Sequence, residues 1–381
     1  MRVHKILLVL LASTLTGCFD SKEEIIEEKN QGLVYCAEAN PVSFNPQVTT
    51  TGSTIDIIAN QLFDRLISID PVTADFKSEL ATDWKISNDG KSVTFTLRKG
   101  VKFHSTSYFT PTRDFNADDV IFTFSRLFDV YNPYHFVGDA NYPYFQSVGL
   151  DQLIRKIVRV SDYQVRFELF HPESSFLTNM ATDFAVVLSQ EYAMQLKARD
   201  QTNLFDQYPI GTGPYIYKEY RRDHLVRFYR NPLYWKHDVA LEQLVYDITT
   251  NGTTRIAKML TKECDVTAHP SSAQLSILAQ RDDINVEKET NLNIGYWAFN
   301  TERAPFDDIR VRRALAHAID IDKIMQAVYY GNGIRAQSIL PPTSWGFEPQ
   351  ENMPMFDPEL AKKLLIEAGL PNGFDMTIWA M

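Results

Sequence analysis

The sequence predicts an α/β protein with more than one domain. The chain has 381 residues, which is long enough for two or three domains of roughly 150 residues each. Short segments of alternating apolar and polar residues, typical of strands, are interspersed with segments of helical period along the chain. Apolar residues make up 44% of the chain and charged residues 23%, an ordinary balance for a globular protein.

The first residues have the pattern of a secretory signal peptide. Arg2 and Lys5 precede a short apolar run from Ile6 to Leu11, and small residues follow, so residues 1–17 are predicted to be removed on export. The run is too short to cross a bilayer, which needs about 20 apolar residues. The sequence therefore predicts an exported protein.

The end of this segment, Leu15-Thr16-Gly17-Cys18, is similar to the lipobox of bacterial lipoproteins, in which the cysteine carries the lipid. We therefore expect Cys18 to be acylated. Residues 18–31 are polar and acidic, and we expect them to form a tether between the membrane and the first domain. The alternative is a plain signal peptide that is cut nearby, with Cys18 incidental.

The charge balance of the chain is acidic. The formal net charge is −10, and removal of Arg2 and Lys5 with the signal peptide changes it to −12 (−10 − 2). A chain of this charge repels the phosphates of nucleic acids, so we expect no nucleic-acid partner.

Two cysteines, Cys36 and Cys264, remain once Cys18 is assigned to lipid. Disulfides persist in exported proteins, and two cysteines allow a single intramolecular pairing. We expect a Cys36–Cys264 disulfide that pins an early strand to a much later segment of the chain. The alternative is a pair of buried free thiols.

Strands and helices are predicted along the rest of the chain from the spacing of apolar residues. Residues 32–36 form a buried strand, Pro41 and Pro46 break it into a loop, and residues 55–66 form a helix. Further strands are predicted at residues 84–86, 93–97, 98–104, 158–170, 215–220, 225–229, 245–248, 293–300 and 374–379. Further helices are predicted at residues 116–128, 176–196, 255–260, 311–319 and 357–368.

Local signals predict where some of these elements begin and turn. Asn88-Asp89-Gly90 is typical of a hairpin turn between two strands. Asn116 fits the N-cap of a helix, with Asp118 and Asp119 in the first turn, where acidic side chains interact favourably with the helix dipole.

Two segments carry groups that suit ligand binding. Thr49 to Ser53 places hydroxyls and a glycine before the first predicted helix, where such residues cap the helix or face a ligand. Residues 131–150 combine many aromatic residues, among them Tyr142 and Tyr144, with turn-forming residues. This composition indicates either a loop that exposes rings to a ligand or a cover over the core.

No pattern in the sequence indicates catalysis or a bound metal. His104 has no second histidine or cysteine at ligand spacing, so it is predicted to be a structural, hydrogen-bonded residue. Gly211-Thr212-Gly213-Pro214 lacks the lysine and hydroxyl of a phosphate-binding loop and is predicted to be a turn into a strand. We expect no cofactor and no enzymatic activity.

Several stretches, in their order and spacing, resemble the extracellular solute-binding proteins of peptide ABC importers, near the dipeptide-binding and Sap branches of that family. The resemblance covers most of residues 32–381. The stretches are residues 35–46, 84–91, 97–104, 116–120, 209–215, 298–300, 311–315 and 340–343.

The resemblance implies a periplasmic-binding-protein-like fold of two lobes that close over a peptide. The first lobe would consist of a discontinuous core, residues 32–65 and 200–285, with an inserted α/β subdomain at residues 66–199. The second lobe would begin near residue 286 and be truncated at residue 381. The arginine and aspartate with which the dipeptide-binding branch holds the two ends of its ligand would lie beyond this point.

The resemblance also implies a disulfide between Cys36 and Cys264, and a peptide groove lined by Thr51, Gly52, Ser53, Tyr142 and Tyr144. Its implied function is that of the substrate-binding component of a peptide ABC importer. Such a protein is a monomer in the periplasm or cell envelope, here with a lipid anchor, and it delivers short peptides to permease subunits in the inner membrane.

Other functions remain open from the sequence. The ligand could instead be haem, a nickel complex or a cationic antimicrobial peptide. A secreted hydrolase and a lipid-anchored chaperone or sensor partner are alternatives of another class.

Overall fold

The structure is a computed structural model and describes residues 32–138, 141–288, 294–342, 344 and 346–379. The predictions for the signal peptide, the acidic tether and Cys18 fall outside these residues. Among the described helices, none combines the length and the apolar content that crossing a membrane requires.

Strands and helices together confirm the α/β class. In chain order, the strands are β1 (Gly32–Ala37), β2 (Ile67–Ile69), β3 (Phe76–Ser78), β4 (Ala81–Ile86), β5 (Ser92–Leu97), β6 (Ile154–Ser161), β7 (Gln164–Leu169), β8 (Tyr215–Arg221), β9 (Leu225–Arg230), β10 (Gln243–Ile248) and β11 (Val266–Thr267). The helices are α1 (Gly52–Leu62), α2 (Ala117–Ser125), α3 (Pro143–Ser147), α4 (Leu150–Leu153), α5 (Phe176–Met180), α6 (Gln190–Ala198), α7 (Gly252–Leu260), α8 (Ser272–Leu278), α9 (Ile309–Ala318), α10 (Ile321–Tyr329) and α11 (Pro358–Glu367).

A five-stranded sheet in the order β11-β1-β10-β9-β8 joins the first described strand to segments far along the chain. β1 pairs in parallel with β10 on one side and with β11 on the other. β9 is antiparallel to both β10 and β8. Because β1 lies inside this sheet, the fold of the later strands depends on residues near the start of the described chain.

Cys36 and Cys264 form a disulfide, which is the predicted pairing. Their Cα atoms are 5.8 Å apart, and both side chains are buried beside Val34 and Val245. The bond links β1 to the residue two positions before β11, so it covalently fixes the parallel pairing of these two strands.

A four-stranded antiparallel sheet, in the order β4-β5-β7-β6, and a small β2–β3 ribbon lie between β1 and β8 in the sequence. Alternate residues of β5 and β7 are buried, and Phe95 packs edge-to-face on Phe167 across the two strands with ring centroids 5.8 Å apart. α2 covers this sheet, and its Phe124 also packs on Phe167. These rings form the interior of the segment that was predicted to be an inserted subdomain.

The Gly211-Thr212-Gly213 turn packs closely against the end of α1. A Cβ atom on Gly213 would lie 2.5 Å from the carbonyl carbon of Leu62, so only glycine fits at this position. Thr212 Oγ1 donates a hydrogen bond of 2.7 Å to the buried carboxylate of Asp64. The motif is therefore a turn that packs against the end of α1 and leads into β8, as the sequence predicted.

His104 is fully buried and bridges the same turn. Its Nε2 lies 3.0 Å from the carbonyl oxygen of Gly213, and the N–H of Gly211 lies 3.4 Å from its Nδ1. A neutral ring that donates from Nε2 and accepts at Nδ1 satisfies both contacts. Its burial and these two backbone contacts confirm that His104 is a structural histidine. Burial also lowers its pKa to about 4.

The described chain divides into two compact units. The first extends to His269 and the second begins at Pro270, earlier than the lobe boundary predicted near residue 286. In the second unit α9 packs on α11, and the buried side chains at this contact are Val311, Ala314 and Ala361.

Some predicted elements differ in the structure. Residues 294–300 and 374–379 are not strands, because a strand requires a hydrogen-bonded neighbour and neither segment has one among the described residues. Residues 158–170 were predicted to be one strand, but the chain reverses at Asp162-Tyr163, so that β6 and β7 pair as a hairpin. Residues 98–104 leave the sheet after β5, and α10 was not predicted.

Removal of the disulfide should destabilise the protein. We expect the double variant Cys36→Ala/Cys264→Ala to lose roughly 2–5 kcal/mol of the free energy of unfolding. The bond joins residues 228 positions apart and so restricts the conformations of the unfolded chain. Urea denaturation measures this loss. Wild-type protein under reducing conditions is the control, because it keeps both sulfur atoms. A variant as stable as the oxidised wild type would contradict a stabilising role.

His104 should make the protein sensitive to mild acid. The folded-state pKa of about 4 lies below the ordinary 6.5, so the unfolded chain takes up this proton first as the pH falls. The stabilisation is complete above pH 6.5 and decreases towards pH 4, with on the order of 2 kcal/mol lost at about pH 5. We expect His104→Gln to have a smaller loss of unfolding free energy between about pH 7 and about pH 5 than wild type. Equal losses in urea denaturation would refute this assignment.

Candidate functional site

One edge of the five-stranded sheet has the geometry of a ligand site. β8 and β10 are both antiparallel to β9, and β10 is parallel to β1, so β1, β8 and β10 run in the same direction. Their carboxyl ends, at Ala37, Arg221 and Ile248, therefore lie along one edge. Open α/β sheets bind their ligands at this edge.

The loop from β1 to α1 crosses this edge and is held in place at β8. Asn40 Nδ2 donates a hydrogen bond of 2.6 Å to Asp223 Oδ1, and the hydroxyl of Tyr220 donates to Asn40 Oδ1 at 3.0 Å. Phe44 packs edge-to-face on Tyr217 and Tyr220, with ring centroids 5.0 and 5.5 Å away. The loop thus spans the edge from the interior strand β1 to the edge strand β8.

The predicted groove residues Thr51, Gly52 and Ser53 lie at the N-terminus of α1. Thr51 is the N-cap residue, but its side chain makes no capping hydrogen bond. Thr51 and Gly52 are exposed and Ser53 is half-buried. Within the described part of the chain, the N–H groups of Gly52 and Ser53 have no acceptor. Unpaired N–H groups at a helix N-terminus carry partial positive charge and attract carboxylate and carbonyl oxygens.

A small acidic cleft adjoins this helix end. Ser53, Glu38, Asp56 and His269 line it, together with residues 35–37 at the end of β1, Ile57 and Ala268. Partial burial raises the pKa of Asp56, and the carboxylates of Asp183 and Glu38 raise it further, whereas His269 opposes the shift. The site therefore presents acidic side chains beside an electropositive helix end.

Tyr142, in contrast, is completely buried. Its hydroxyl accepts a hydrogen bond from Arg126 Nε at 3.2 Å and donates to the carbonyl oxygen of His135 at 2.9 Å. This burial contradicts the prediction that Tyr142 lines the groove, because the side chain has no accessible surface and its hydroxyl is already paired inside the protein.

Tyr144 is half-buried beside the same loop. It stacks on Phe184 with ring centroids 4.3 Å apart, and its hydroxyl donates to Asn179 Oδ1 at 3.1 Å. Both contacts are structural, and a role in ligand binding stays a prediction.

Arg126, which the sequence patterns did not single out, is the centre of a buried network. Its guanidinium lies 3.4 Å from the carboxylate of Asp206 and over the rings of Tyr142 and Phe205. Asp206 also accepts a hydrogen bond of 2.7 Å from Asn45 Nδ2. The network joins the aromatic loop to the loop before α1, and its members are too far apart in sequence for any local motif to reveal it.

A cavity of about 690 Å³ opens beside this network. It is lined by residues 41–44, Val48, residues 136–138, residues 202–203, residues 206–208, and Tyr217 and Tyr220 on β8. None of the predicted groove residues lines it. A concave surface is created by folding, so no sequence signal could have located it.

Metal ligation has no support in the described residues, where no group of three or more His, Cys, Asp or Glu side chains could hold an ion.

Comparison with known proteins identifies the relatives of this chain. The profile of the family "Bacterial extracellular solute-binding proteins, family 5 Middle" matches residues 75–380. The dipeptide-binding protein of Escherichia coli is 42% identical over 92% of this chain and 65% of its own length. Heme-binding protein A of Haemophilus influenzae is 39% identical over 94% of this chain and 66% of its own length. The chain thus spans just under two thirds of these relatives.

A solved structure is also similar. The crystal structure of a dipeptide binding protein from Pseudoalteromonas sp. SM9913 in complex with Met-Leu has a TM-score of 0.86 and 88% sequence identity. The match covers 92% of this chain and 69% of that chain. Together with the family profile, this similarity shows that the chain belongs to family 5 of the bacterial extracellular solute-binding proteins.

Proposed function

We propose that this protein is the substrate-binding component of a peptide ABC importer. It captures short peptides outside the inner membrane and delivers them to the permease. The observation that carries this proposal is the pair of N–H groups on Gly52 and Ser53 that have no acceptor among the described residues, at the sheet edge where α/β proteins bind ligands. The similarity to dipeptide-binding relatives supports it.

The geometry suits the main chain of a peptide. A carboxylate or carbonyl oxygen of the peptide accepts hydrogen bonds from Gly52 and Ser53, with Thr51 beside it. Glu38 and Asp56, in the adjoining cleft, attract a positively charged group such as a peptide ammonium. Main-chain contacts of this kind provide affinity without selecting particular side chains.

The mechanism is binding and closure rather than catalysis. In this proposal the two lobes close over the peptide by a hinge motion, and the closed form is presented to the permease. The protein acts as a monomer in the periplasm, without a cofactor, and the lipid on Cys18 anchors it to the membrane. The lipobox pattern of residues 15–18 supports the anchor.

Haem is the second candidate ligand, because a relative of 39% identity is named for haem binding. The two ligands are distinguished by two titrations of the full chain, one with the dipeptide Met-Leu followed by calorimetry and one with haem followed by absorbance. We expect Met-Leu to release or absorb heat and to raise the melting temperature. Haem binding without any response to a varied set of di- to tetrapeptides would replace the peptide proposal.

The variant Gly52→Pro tests the contact at α1 directly. Proline is well tolerated at the first position of a helix, and Thr51 already has the extended backbone (φ −71°, ψ 113°) that a residue before proline adopts. The substitution therefore removes one N–H group and leaves the helix intact. We expect the affinity for Met-Leu to fall about tenfold or more, the value of one hydrogen bond to a charged group.

Gly52→Ala is the matched control. It keeps the N–H group, and an added Cβ meets no atom within 4 Å. We expect calorimetry to give it wild-type affinity. If Gly52→Pro also binds Met-Leu as tightly as wild type, the peptide does not use this N–H group.

A further inference from the structure

None of the residues that the proposed function places at the peptide belongs to residues 66–199, the predicted insertion. These residues are Glu38, Thr51, Gly52, Ser53 and Asp56. The insertion nevertheless holds the loop before α1, because Arg126 at the end of α2 is part of the network that reaches this loop. It can therefore influence a bound peptide by fixing the residues that contact it.

Asp206 is the point where three segments of the chain meet. Its carboxylate oxygens lie 3.4 and 3.5 Å from two guanidinium nitrogens of Arg126, which is completely buried. The same carboxylate accepts the hydrogen bond of Asn45 Nδ2, and the main-chain oxygen of Asp206 accepts one of 3.0 Å from the N–H of Phe44. A buried cation, a carboxylate and an amide that are all paired form a rigid unit. The loop before α1 is attached to this unit at two successive residues.

Asn45 extends this support along the loop. Its side chain is buried and uses both of its polar atoms, because Nδ2 donates to Asp206 while Oδ1 accepts a hydrogen bond of 3.0 Å from the N–H of Gln47. The second bond caps the short turn Pro46–Val48. An aspartate at position 45 would keep this cap but would lose the donor that faces Asp206.

Thr49 completes the path from Arg126 to α1. Its Oγ1 accepts a hydrogen bond of 3.1 Å from the N–H of Thr51, and Thr49 itself is buried. The carbonyl oxygen of Thr51 in turn accepts the first hydrogen bonds of the helix. Since Thr51 is the N-cap residue, these bonds fix the direction of the N–H groups of Gly52 and Ser53, which follow it.

We propose that Asn45 and Thr49 are positioning residues for peptide binding, through which residues 66–199 raise the affinity of the site at α1 without contacting the peptide. The inference rests on the proposed function. A site that is fixed before the ligand arrives loses less conformational freedom on binding than one that the ligand must order, so it binds more tightly. Loosening the path therefore weakens binding even though the N–H groups of Gly52 and Ser53 are still present.

The variant Asn45→Asp breaks the connection between the loop and Asp206. The new carboxylate still caps Gln47 but faces the carboxylate of Asp206, so repulsion replaces a hydrogen bond. We expect calorimetry to give an affinity for Met-Leu about tenfold below that of wild type.

The double variant Asn45→Asp/Asp206→Asn is the rescue. It exchanges the donor and the acceptor, so the amide at position 206 donates to the carboxylate at position 45, and one carboxylate stays in the network with Arg126. We expect it to recover most of the wild-type affinity. A double variant that binds Met-Leu as weakly as Asn45→Asp would overturn the role of the Asn45–Asp206 bond.

Thr49→Val is a second variant, and it leaves the Arg126–Asp206 ion pair untouched. Valine is close to threonine in shape but lacks the hydroxyl that accepts from Thr51. Thr49→Ser is the matched control because it keeps this hydroxyl. We expect Thr49→Val to bind Met-Leu about tenfold more weakly than Thr49→Ser. If Asn45→Asp does not fold, this pair of variants decides the proposal.

Ser189→Ala separates positioning from a general loss of stability. Ser189 is buried in residues 66–199 and caps α6, but it is not part of the path to α1. Loss of this cap should lower the melting temperature and leave the affinity for Met-Leu unchanged. An affinity that falls as far as in Asn45→Asp would overturn the proposal, because destabilisation alone would then explain the effect.

The results distinguish this inference from the proposed function. Wild-type affinity for Met-Leu in both Asn45→Asp and Thr49→Val overturns the positioning role and leaves peptide binding in place. No binding of Met-Leu by the wild-type chain overturns both.

Discussion

The parallel pairing of β1 with β10 and β11 is the interaction on which the first unit depends. Six residues near the start of the described chain occupy the interior of a sheet whose other strands come from residues 215–267. Without β1, the backbone groups of β10 that face it would lose their partners, and β11 would lose its only pairing among the described residues. The Cys36–Cys264 disulfide makes this pairing covalent.

The same pairing creates the candidate site. It fixes the direction of β1 relative to β8 and β10, and so it places their carboxyl ends at one edge. The chain must then cross that edge to reach α1, and this crossing leaves the N-terminus of the helix open. The ion pair of the buried Arg126 with the partly buried Asp206 supports the crossing loop, and removal of Asp206 would leave Arg126 as an uncompensated buried charge.

Local rules predicted the elements whose causes are local. Asn116 and Asp119 form a capping box at the start of α2, and Gly90 adopts the left-handed conformation (φ +66°) of its predicted turn. The segments 294–300 and 374–379 were mispredicted because strand formation depends on a hydrogen-bonded neighbour, which can be distant in sequence. Tyr142 was misplaced for a similar reason: an aromatic loop can expose or bury its rings, and the partner Arg126 that buries this one has no sequence signal. The assignment of a peptide groove to Thr51, Gly52 and Ser53 came from a family resemblance and stays a prediction, and the cavity could be found only from coordinates.

Amide hydrogen exchange by NMR, with and without Met-Leu, tests most directly whether a peptide binds at α1. The account predicts that the ligand slows exchange at the N–H groups of Gly52 and Ser53, which have no acceptor in the described chain, and changes little at Ile57 and Ile58, which are already buried within the helix. Tight binding of Met-Leu with unchanged exchange at Gly52 and Ser53 would contradict it.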